Sequence, residues 1–555
     1  MGLNQKQIIS ELPLHLQGYV EAQNYESYSP QDHALWRFLM GRLSVQLAGT
    51  AHLIYLGGLK RVGINREMVP DLEVMNAHLA QIGWQVLGVT GFIPPPIFME
   101  FQSRCILPIA LRMRSIEQIF YTPAPDILHE SAGHAPLLID VDYAEFLQQF
   151  GKLGTKALNS KGKTPSEASK FARLHWWTIE YGLVGTVDNY KLFGAGLLSS
   201  LSESANCLDD KRVVKKLLTV DAICQDYDIT HEQPLLFVTH SCQHMRQVLD
   251  VVAQGMCQFN GRAESVREAI SGESVCTLKY SSGLQVSGIV SEVITDQMDN
   301  AVYVRTAGPT QLAWRDNQLP GHGGAYHANG FGSPVGRVNE MTRCLSEYTI
   351  DELDGQGIRA GDETSRATTL EFLSGITVSG VLIGIERREQ KNILFSFANC
   401  TVLTNKGGVL FDPAWGQYDM ALGAELVSVS GGAADRSNYQ IETLNLSAEM
   451  SEGGVDNASS MVEPDLIEVY GAVREMREAI TQYPAKWRGE YDAVVDRVLA
   501  IGDWLVLLEL YEITLISANP VSQVVYDKLV GLIDTDRELK SLVNQAVAAL
   551  RTGTS

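Results

Sequence analysis

One stretch of this chain is written twice. Thr277-Leu278-Lys279-Tyr280-Ser281-Ser282-Gly283-Leu284-Gln285-Val286-Ser287-Gly288-Ile289-Val290 returns, like replacing like, as Thr369-Leu370-Glu371-Phe372-Leu373-Ser374-Gly375-Ile376-Thr377-Val378-Ser379-Gly380-Val381-Leu382. The match runs on without a gap to Asn300-Ala301-Val302-Tyr303 against Asn392-Ile393-Leu394-Phe395. Apolar residues alternating with small polar ones about a Ser-Gly turn predict strand, turn, strand. The repeat therefore implies a duplicated β-unit, and two unrelated hairpins sharing common turn residues account poorly for so long an ungapped match. It lies in residues 274–445, a region rich in Val, Ile, Thr, Ser and Gly. There, Gly321-His322-Gly323-Gly324-Ala325-Tyr326-His327 lacks the Gly-Lys-Ser/Thr ending of a phosphate loop and reads as turns.

The flanks have a different period. In residues 1–270, Ser29-Pro30-Gln31-Asp32 starts a helix, with apolar residues at helical spacing through Leu59. Another helix begins near Ile97, after Pro94-Pro95-Pro96. Thr164-Pro165-Ser166-Glu167 has the form of a capping box opening a helix to about Tyr181. Residues 446–461 are small and polar and read as a linker, and 462–555 return to helical spacing around Val494, Val495 and Val498. The expected architecture is multidomain: a mostly α domain over 1–270, a β-rich duplicated module over 274–445, and a C-terminal helical segment.

Charge and cysteines narrow the class. The chain has 65 acidic against 44 basic residues, a net charge of −21, which argues against a nucleic-acid binder. Its eight cysteines form no Cys-x-x-Cys pair, the usage of a reducing compartment. The N-terminus has no signal-peptide run, and Lys6 stands where myristoylation wants Ser or Thr. The apolar stretch Trp504–Ile516 is short and broken by Glu509 and Glu512. A cytoplasmic protein without membrane or nucleic-acid partners is expected.

The chemistry lies between residues 121 and 203. Tyr121-Thr122-Pro123-Ala124-Pro125-Asp126-Ile127-Leu128-His129-Glu130-Ser131-Ala132-Gly133-His134 carries two histidines five apart. The zinc-protease motif sets them four apart, on one helix face. Five apart is about 140° around an α-helix of about 3.6 residues per turn, so both rings reach one ion only where the helix ends or distorts. Glu180, in the apolar and aromatic run Leu174-His175-Trp176-Trp177-Thr178-Ile179-Glu180, is costly to bury unless paired or metal-bound. Two His and one carboxylate form the facial triad of non-haem Fe(II) oxygenases. Zinc hydrolysis and a purely structural role stay open at this point. Trp176, four residues before Glu180, would give a flat substrate an aromatic wall.

These segments, with Phe193-Gly194-Ala195-Gly196-Leu197-Leu198-Ser199-Ser200-Leu201-Ser202-Glu203, resemble in order and spacing the signatures of the pterin-dependent aromatic amino acid hydroxylases over about residues 25–265. The resemblance implies a mostly α catalytic domain that uses Fe(II), tetrahydrobiopterin or a related reduced pterin, and O2 to hydroxylate an aromatic amino acid. It implies His129, His134 and Glu180 as iron ligands and Glu130 as the catalytic acid near pterin and iron. Arg114, eight residues before Thr122, becomes the clamp of the substrate carboxylate, oriented by Asp126. Thr122, Pro125, Trp176, Gly196 and Ser199 become substrate-pocket positions, with Ser199 able also to hold a ligand histidine, and Phe98 the pterin-stacking ring. Trp176 disfavours tryptophan as substrate. Ile229, apolar where the tyrosine branch carries Asp, disfavours tyrosine, so phenylalanine to tyrosine is the expected reaction. The motifs precede residue 205, so residues 274–555 are expected to be dispensable for chemistry and to serve regulation or homo-oligomer assembly.

Overall fold

The computed structural model describes residues 4–120, 122, 124–162, 165–229, 231–439, 464–483, 487 and 489–552. The expected linker 446–461 and the expected cap Thr164 lie outside the described residues.

Ser29 and Asp32 close a reciprocal capping box: Ser29 Oγ accepts the Asp32 N–H at 3.2 Å and Asp32 accepts the Ser29 N–H at 2.8 Å. The helix they open, Pro30–Leu47, does not run through to Leu59. A second helix, Leu53–Arg61, starts after it, capped by His52. The later helix spans Glu167–His175 and takes Ser166 as its cap. The first 270 residues also contain two small sheets. One is formed by Val20–Glu21, Gln85–Val89 and Ile106–Ala110, the other by Asn189–Leu192, Leu183–Thr186, Leu235–Thr239 and Val214–Leu217.

The β-rich region builds one sheet on each copy of the repeat. Val275–Tyr280, Leu284–Thr295 and Ala301–Trp314 form the first meander, and Thr368–Glu371, Thr377–Arg388 and Lys391–Leu403 the second. The register is the same in both. Thr277 pairs with Ser287 and Leu278 with Val286, as Thr369 pairs with Ser379 and Leu370 with Val378. Each Thr–Ser pair is joined through its hydroxyls at 2.9 Å. Gly283 and Gly375 hold the equivalent turns at positive φ, where a side chain would be strained. A fourth strand extends the likeness: Tyr303 pairs with Pro334, and Phe395 with Met420.

The C-terminal helices do not stand apart. Trp504–Ile516 is apolar all round, which demands burial on every side. It packs into the same core as Trp36, Leu39, Phe146 and Trp177, together with Val473 and Met476 from the Pro464–Gln482 helix. Its two acids, which break the sequence's apolar run, serve this docking. Glu509 is buried between Arg37 of the Pro30–Leu47 helix and Arg477, whose Nη2 lies 3.1 Å away. Glu512 meets the same Arg477 at 2.9 Å. Residues 464–552 thus share the core of the first 270, so the expected C-terminal segment is not a separate body. Among the described residues, no helix is long and apolar enough to cross a membrane.

The β-rich region is tied to the same body by buried Glu100, which meets His15 Nε2 at 3.0 Å, Arg104 at 3.0 Å and Arg436 at 2.8 Å.

Removing Glu509 takes one carboxylate from each of two buried guanidinium groups, leaving Arg37 with Glu67 at 3.2 Å and Arg477 with Glu512. Glu509→Ala is expected to destabilise the chain by about 1.5–3 kcal/mol in denaturant unfolding, the loss of charge-assisted hydrogen bonds whose arginines keep a second partner. A loss below about 1 kcal/mol would show the docking does not depend on this pair. Burial opposes ionisation of Glu100, yet His15, Arg436 and Arg104 hold its carboxyl down at about 2. Its contribution is therefore full above an unfolded value of 4.5 and is lost as pH falls toward 2. Arg436→Ala should flatten the acid limb of the stability curve over that window; an unchanged limb would assign the acid sensitivity elsewhere.

Candidate metal centre

The five-residue histidine spacing is resolved by the backbone. Leu128–His134 is a π-helix, whose hydrogen bonds run from residue i to i+5. Residues five apart return to nearly the same side, so His129 and His134 face one point, their ring centroids 4.9 Å apart. The distortion thus spans both histidines rather than occurring at one of them. A second π-turn, Trp176–Glu180, ends the helix carrying Glu180 and turns its carboxylate to the same point. His129 Nε2 lies 3.3 Å from Glu180 Oε2, and His134 Nε2 3.4 Å from Oε1.

Ser199 decides what those nitrogens present. Its hydroxyl donates to the Ala195 carbonyl at 2.8 Å, leaving its oxygen to accept from His129 Nδ1 at 2.9 Å. With the proton on Nδ1, Nε2 offers a lone pair toward Glu180. Lone pairs and an anion converging in a buried site suit a cation. The electrostatics show the same demand for positive charge: burial opposes charge on both groups, but Glu180 raises His129 to about 9 and the two histidines hold Glu180 well below the usual carboxylate range, so without a metal a proton takes the place a cation would fill. Glu130 is the other acid within reach. It is buried, its Oε2 has no hydrogen-bond partner among the described residues, and it stands 3.9 Å from His134 Nε2. Burial pushes its carboxyl pKa up. Glu180 addresses both histidines and Glu130 stands within 4.8 Å of them, so His129 and His134 could hold a metal with either carboxylate, Glu180 at the shorter range.

Asp126 anchors the surroundings. It is fully buried and accepts Arg114 Nε at 2.6 Å, Arg114 Nη2 at 3.0 Å, the Arg114 N–H at 3.2 Å and the His129 N–H at 3.0 Å. It therefore braces the arginine and the first histidine together. The Nε edge of Arg114 is taken, and the Nη1/Nη2 end is what remains for another carboxylate.

The remaining expected residues divide. Trp176 stacks on Tyr227 at 4.4 Å with the planes 12° apart, and lies 4.7 Å from Tyr181. Phe98 packs edge-on against His175 at 5.8 Å, and His175 Nδ1 stands 3.6 Å from Glu180 Oε1. Gly196 is a spacing residue: a Cβ there would come 2.8 Å from the Tyr181 ring and 3.1 Å from the Glu180 carbonyl. Thr122 donates to the Ala124 carbonyl at 2.8 Å and accepts from Arg112 at 3.1 Å, while Pro125 is exposed rather than packed. Ile229 requires correction. It is 59% exposed on a loop, and the residue of that loop turned to Trp176 is Tyr227. Tyr227 and Arg112 have no spacing link to the motifs, and His175, though inside one, shows its place only in the packing against Phe98 and Glu180.

The model of the biopterin-dependent aromatic amino acid hydroxylases matches residues 15–280. The phenylalanine-4-hydroxylase of Pseudomonas aeruginosa is 35% identical over 222 residues, 40% of this chain and 82% of that protein. This chain belongs to the biopterin-dependent aromatic amino acid hydroxylase family. Its relative in Chromobacterium violaceum, also a phenylalanine-4-hydroxylase, is 38% identical over 188 residues, and the match spans 34% of this chain and 62% of that protein. A crystal structure of the latter, with bound iron(III) and 7,8-dihydrobiopterin, is similar at 31% identity over 43% of this chain and 88% of that one, with a TM-score of 0.39. The repeat's second copy and the C-terminal helices lie beyond the residues matched by the family model.

Ser199→Ala frees the His129 tautomer. Metal affinity, measured by chelator competition, is expected to fall about 10–100-fold; an unchanged affinity would mean Ser199 does not orient the ring.

Proposed function

We propose that this hydroxylase converts phenylalanine to tyrosine, using Fe(II) held by His129, His134 and Glu180, a tetrahydropterin, and O2. The observation that carries the reading is the convergence of two histidine Nε2 atoms on one partly buried carboxylate, with the family's relatives named as phenylalanine-4-hydroxylases. When bound, the iron and reduced pterin supply activation of O2 for attack on the ring.

The chain's own residues do the rest. Asp126 holds Arg114 so that its Nη1/Nη2 end can take the substrate carboxylate in two parallel hydrogen bonds. Trp176, backed by Tyr227, offers the ring a flat apolar wall. Phe98, against His175, offers the pterin a stacking face. Glu130, whose Oε2 is buried without a hydrogen-bond partner among the described residues and whose pKa burial pushes up, is placed to exchange a hydrogen bond with a group bound in the site. Residues 1–270 form the catalytic unit in this reading, with 464–552 sealing its core.

The choice of phenylalanine now rests on Trp176 and on the relatives, since exposed Ile229 gives a phenol nothing to be excluded by. Turnover of Phe, Tyr and Trp with Fe(II), tetrahydropterin and O2, read by product mass spectrometry, should give the highest kcat/KM for Phe. A higher value for Tyr or Trp would reassign the substrate, and turnover supported by zinc without pterin would replace the reaction class. Arg114→Lys should raise KM for the amino acid about tenfold or more, because an ammonium cannot make the paired contact. An unchanged KM would place the carboxylate elsewhere.

A further inference from the structure

Two clusters of ligand-type side chains lie outside this site among the described residues. Glu167, Cys257 and Glu268 have a structural account, since Glu167 accepts the backbone N–H groups of Leu158 at 2.9 Å and Cys257 at 2.6 Å. His322, His327 and Asp419 have none.

His322 and His327 sit in the Gly-rich segment whose composition reads only as turns. Its backbone is pinned to the first β-sheet: Leu312 N–H donates to the His322 carbonyl at 2.9 Å, and Thr310 N–H to that of His327 at 3.2 Å. The two rings come side by side, planes 21° apart, with His322 Nδ1 3.2 Å from His327 Nε2. Asp419 arrives from the other sheet, on the strand Tyr418–Ala421. Its Oδ1 accepts the Ser396 hydroxyl at 2.6 Å and the Gln417 amide at 3.3 Å, and its Oδ2 lies 3.9 Å from His322 Nδ1. One donor atom from each of the three residues falls within 4.8 Å of the others.

Asp419 is 5% exposed and His327 8%. Among the described residues no lysine or arginine pairs with that carboxylate, and the His322 imidazole stands 3.9 Å away, beyond hydrogen-bond distance. A buried anion without a counter-charge is costly. A hydrogen bond between the two imidazoles leaves that cost standing, whereas a cation among the three groups removes it. Zinc–nitrogen bonds of about 2.0–2.1 Å put neighbouring tetrahedral ligands about 3.3 Å apart, the spacing of the two nitrogens, and a small side-chain movement brings the carboxylate in. Two imidazoles and one carboxylate suit first-row transition ions rather than calcium or magnesium. Ser396 and Gln417 would orient the carboxylate as outer partners of metal ligands do.

We propose that His322, His327 and Asp419 form a second metal site, for a divalent first-row transition ion such as zinc, that clasps the two copies of the repeat together. The site belongs to the duplication but is not itself repeated. Ser396 pairs with Asp419 in the second copy, and its counterpart Val304 pairs with Ser333 in the first.

The test is zinc content of the full chain after loading and exhaustive dialysis, by elemental analysis, with circular dichroism confirming each variant's fold. His322→Ala and Asp419→Asn should each retain one equivalent fewer than the parent chain. The double variant E180A/H322A should retain none, while Glu180→Ala alone keeps one. Zinc content equal to the parent's in folded His322→Ala or Asp419→Asn overturns the proposal. So does a Glu180→Ala chain that keeps no zinc. His322 is partly exposed, so its substitution carries the test should Asp419→Asn fail to fold.

Discussion

A carboxylate with no access to water organises the candidate centre. Asp126 could not stay ionised in the core on its own; burial alone would push its pKa up, and the Arg114 guanidinium beside it reverses the shift. The same two oxygens hold the arginine's side chain, the arginine's backbone and the backbone of His129. The start of the π-helix and the aim of the arginine are thereby one arrangement. Loss of either partner would leave the other charge buried and uncompensated, at about 3–5 kcal/mol.

The two π-turns show why the spacing rules of ordinary helices misplace this site. An α-helical Leu128–His134 would separate the imidazoles around its axis. The widened turn spends backbone regularity to bring them together, an exchange typical of functional helices. Small residues make the exchange possible. A Cβ on Gly133 would come 3.0 Å from the Ala195 carbonyl, and one on Gly194 would strike the Glu180 carbonyl at 2.2 Å. The segment Phe193–Glu203 therefore acts as a backing plate. It supports both π-turns and supplies Ser199 to set the histidine tautomer.

Beyond residue 280 the chain does two different things. The duplicated meanders bury their own cores, with Leu278, Val286 and Leu312 in one and Leu370, Val378 and Phe395 in the other. The first meander also shares its core with Leu158, Val266 and Ala269 of the hydroxylase unit, beside polar ties such as Arg436 to Glu100. The last helices have no comparable core of their own and instead share the first. A helix as apolar as Trp504–Ile516 has few options in water, and here it enters another unit's interior, its two acids met by Arg37 and Arg477.

Much was legible in the residues themselves, because it depends on local chemistry. The Ser29 cap, the alternation of the repeat and its Ser-Gly turns are properties of short windows, and the structure reproduces the repeat down to the same Thr–Ser hydroxyl contact. The motifs around His129, His134, Glu180 and Ser199 named a set of residues that the structure brings to one point. Long-range partners were not legible. Nothing near Ile229 says that Tyr227 turns inward to stack on Trp176, and a Gly-rich run of turns does not announce that a distant aspartate will face its histidines. Which acid answers which arginine across the Glu509 contact is likewise a matter of docking. Local sequence determined the elements, the repeat and the reactive residue types, because hydrogen-bonded turns and side-chain periodicity act over a few residues. Tertiary structure alone decided which groups share a buried space, because desolvation and packing act between segments hundreds of residues apart.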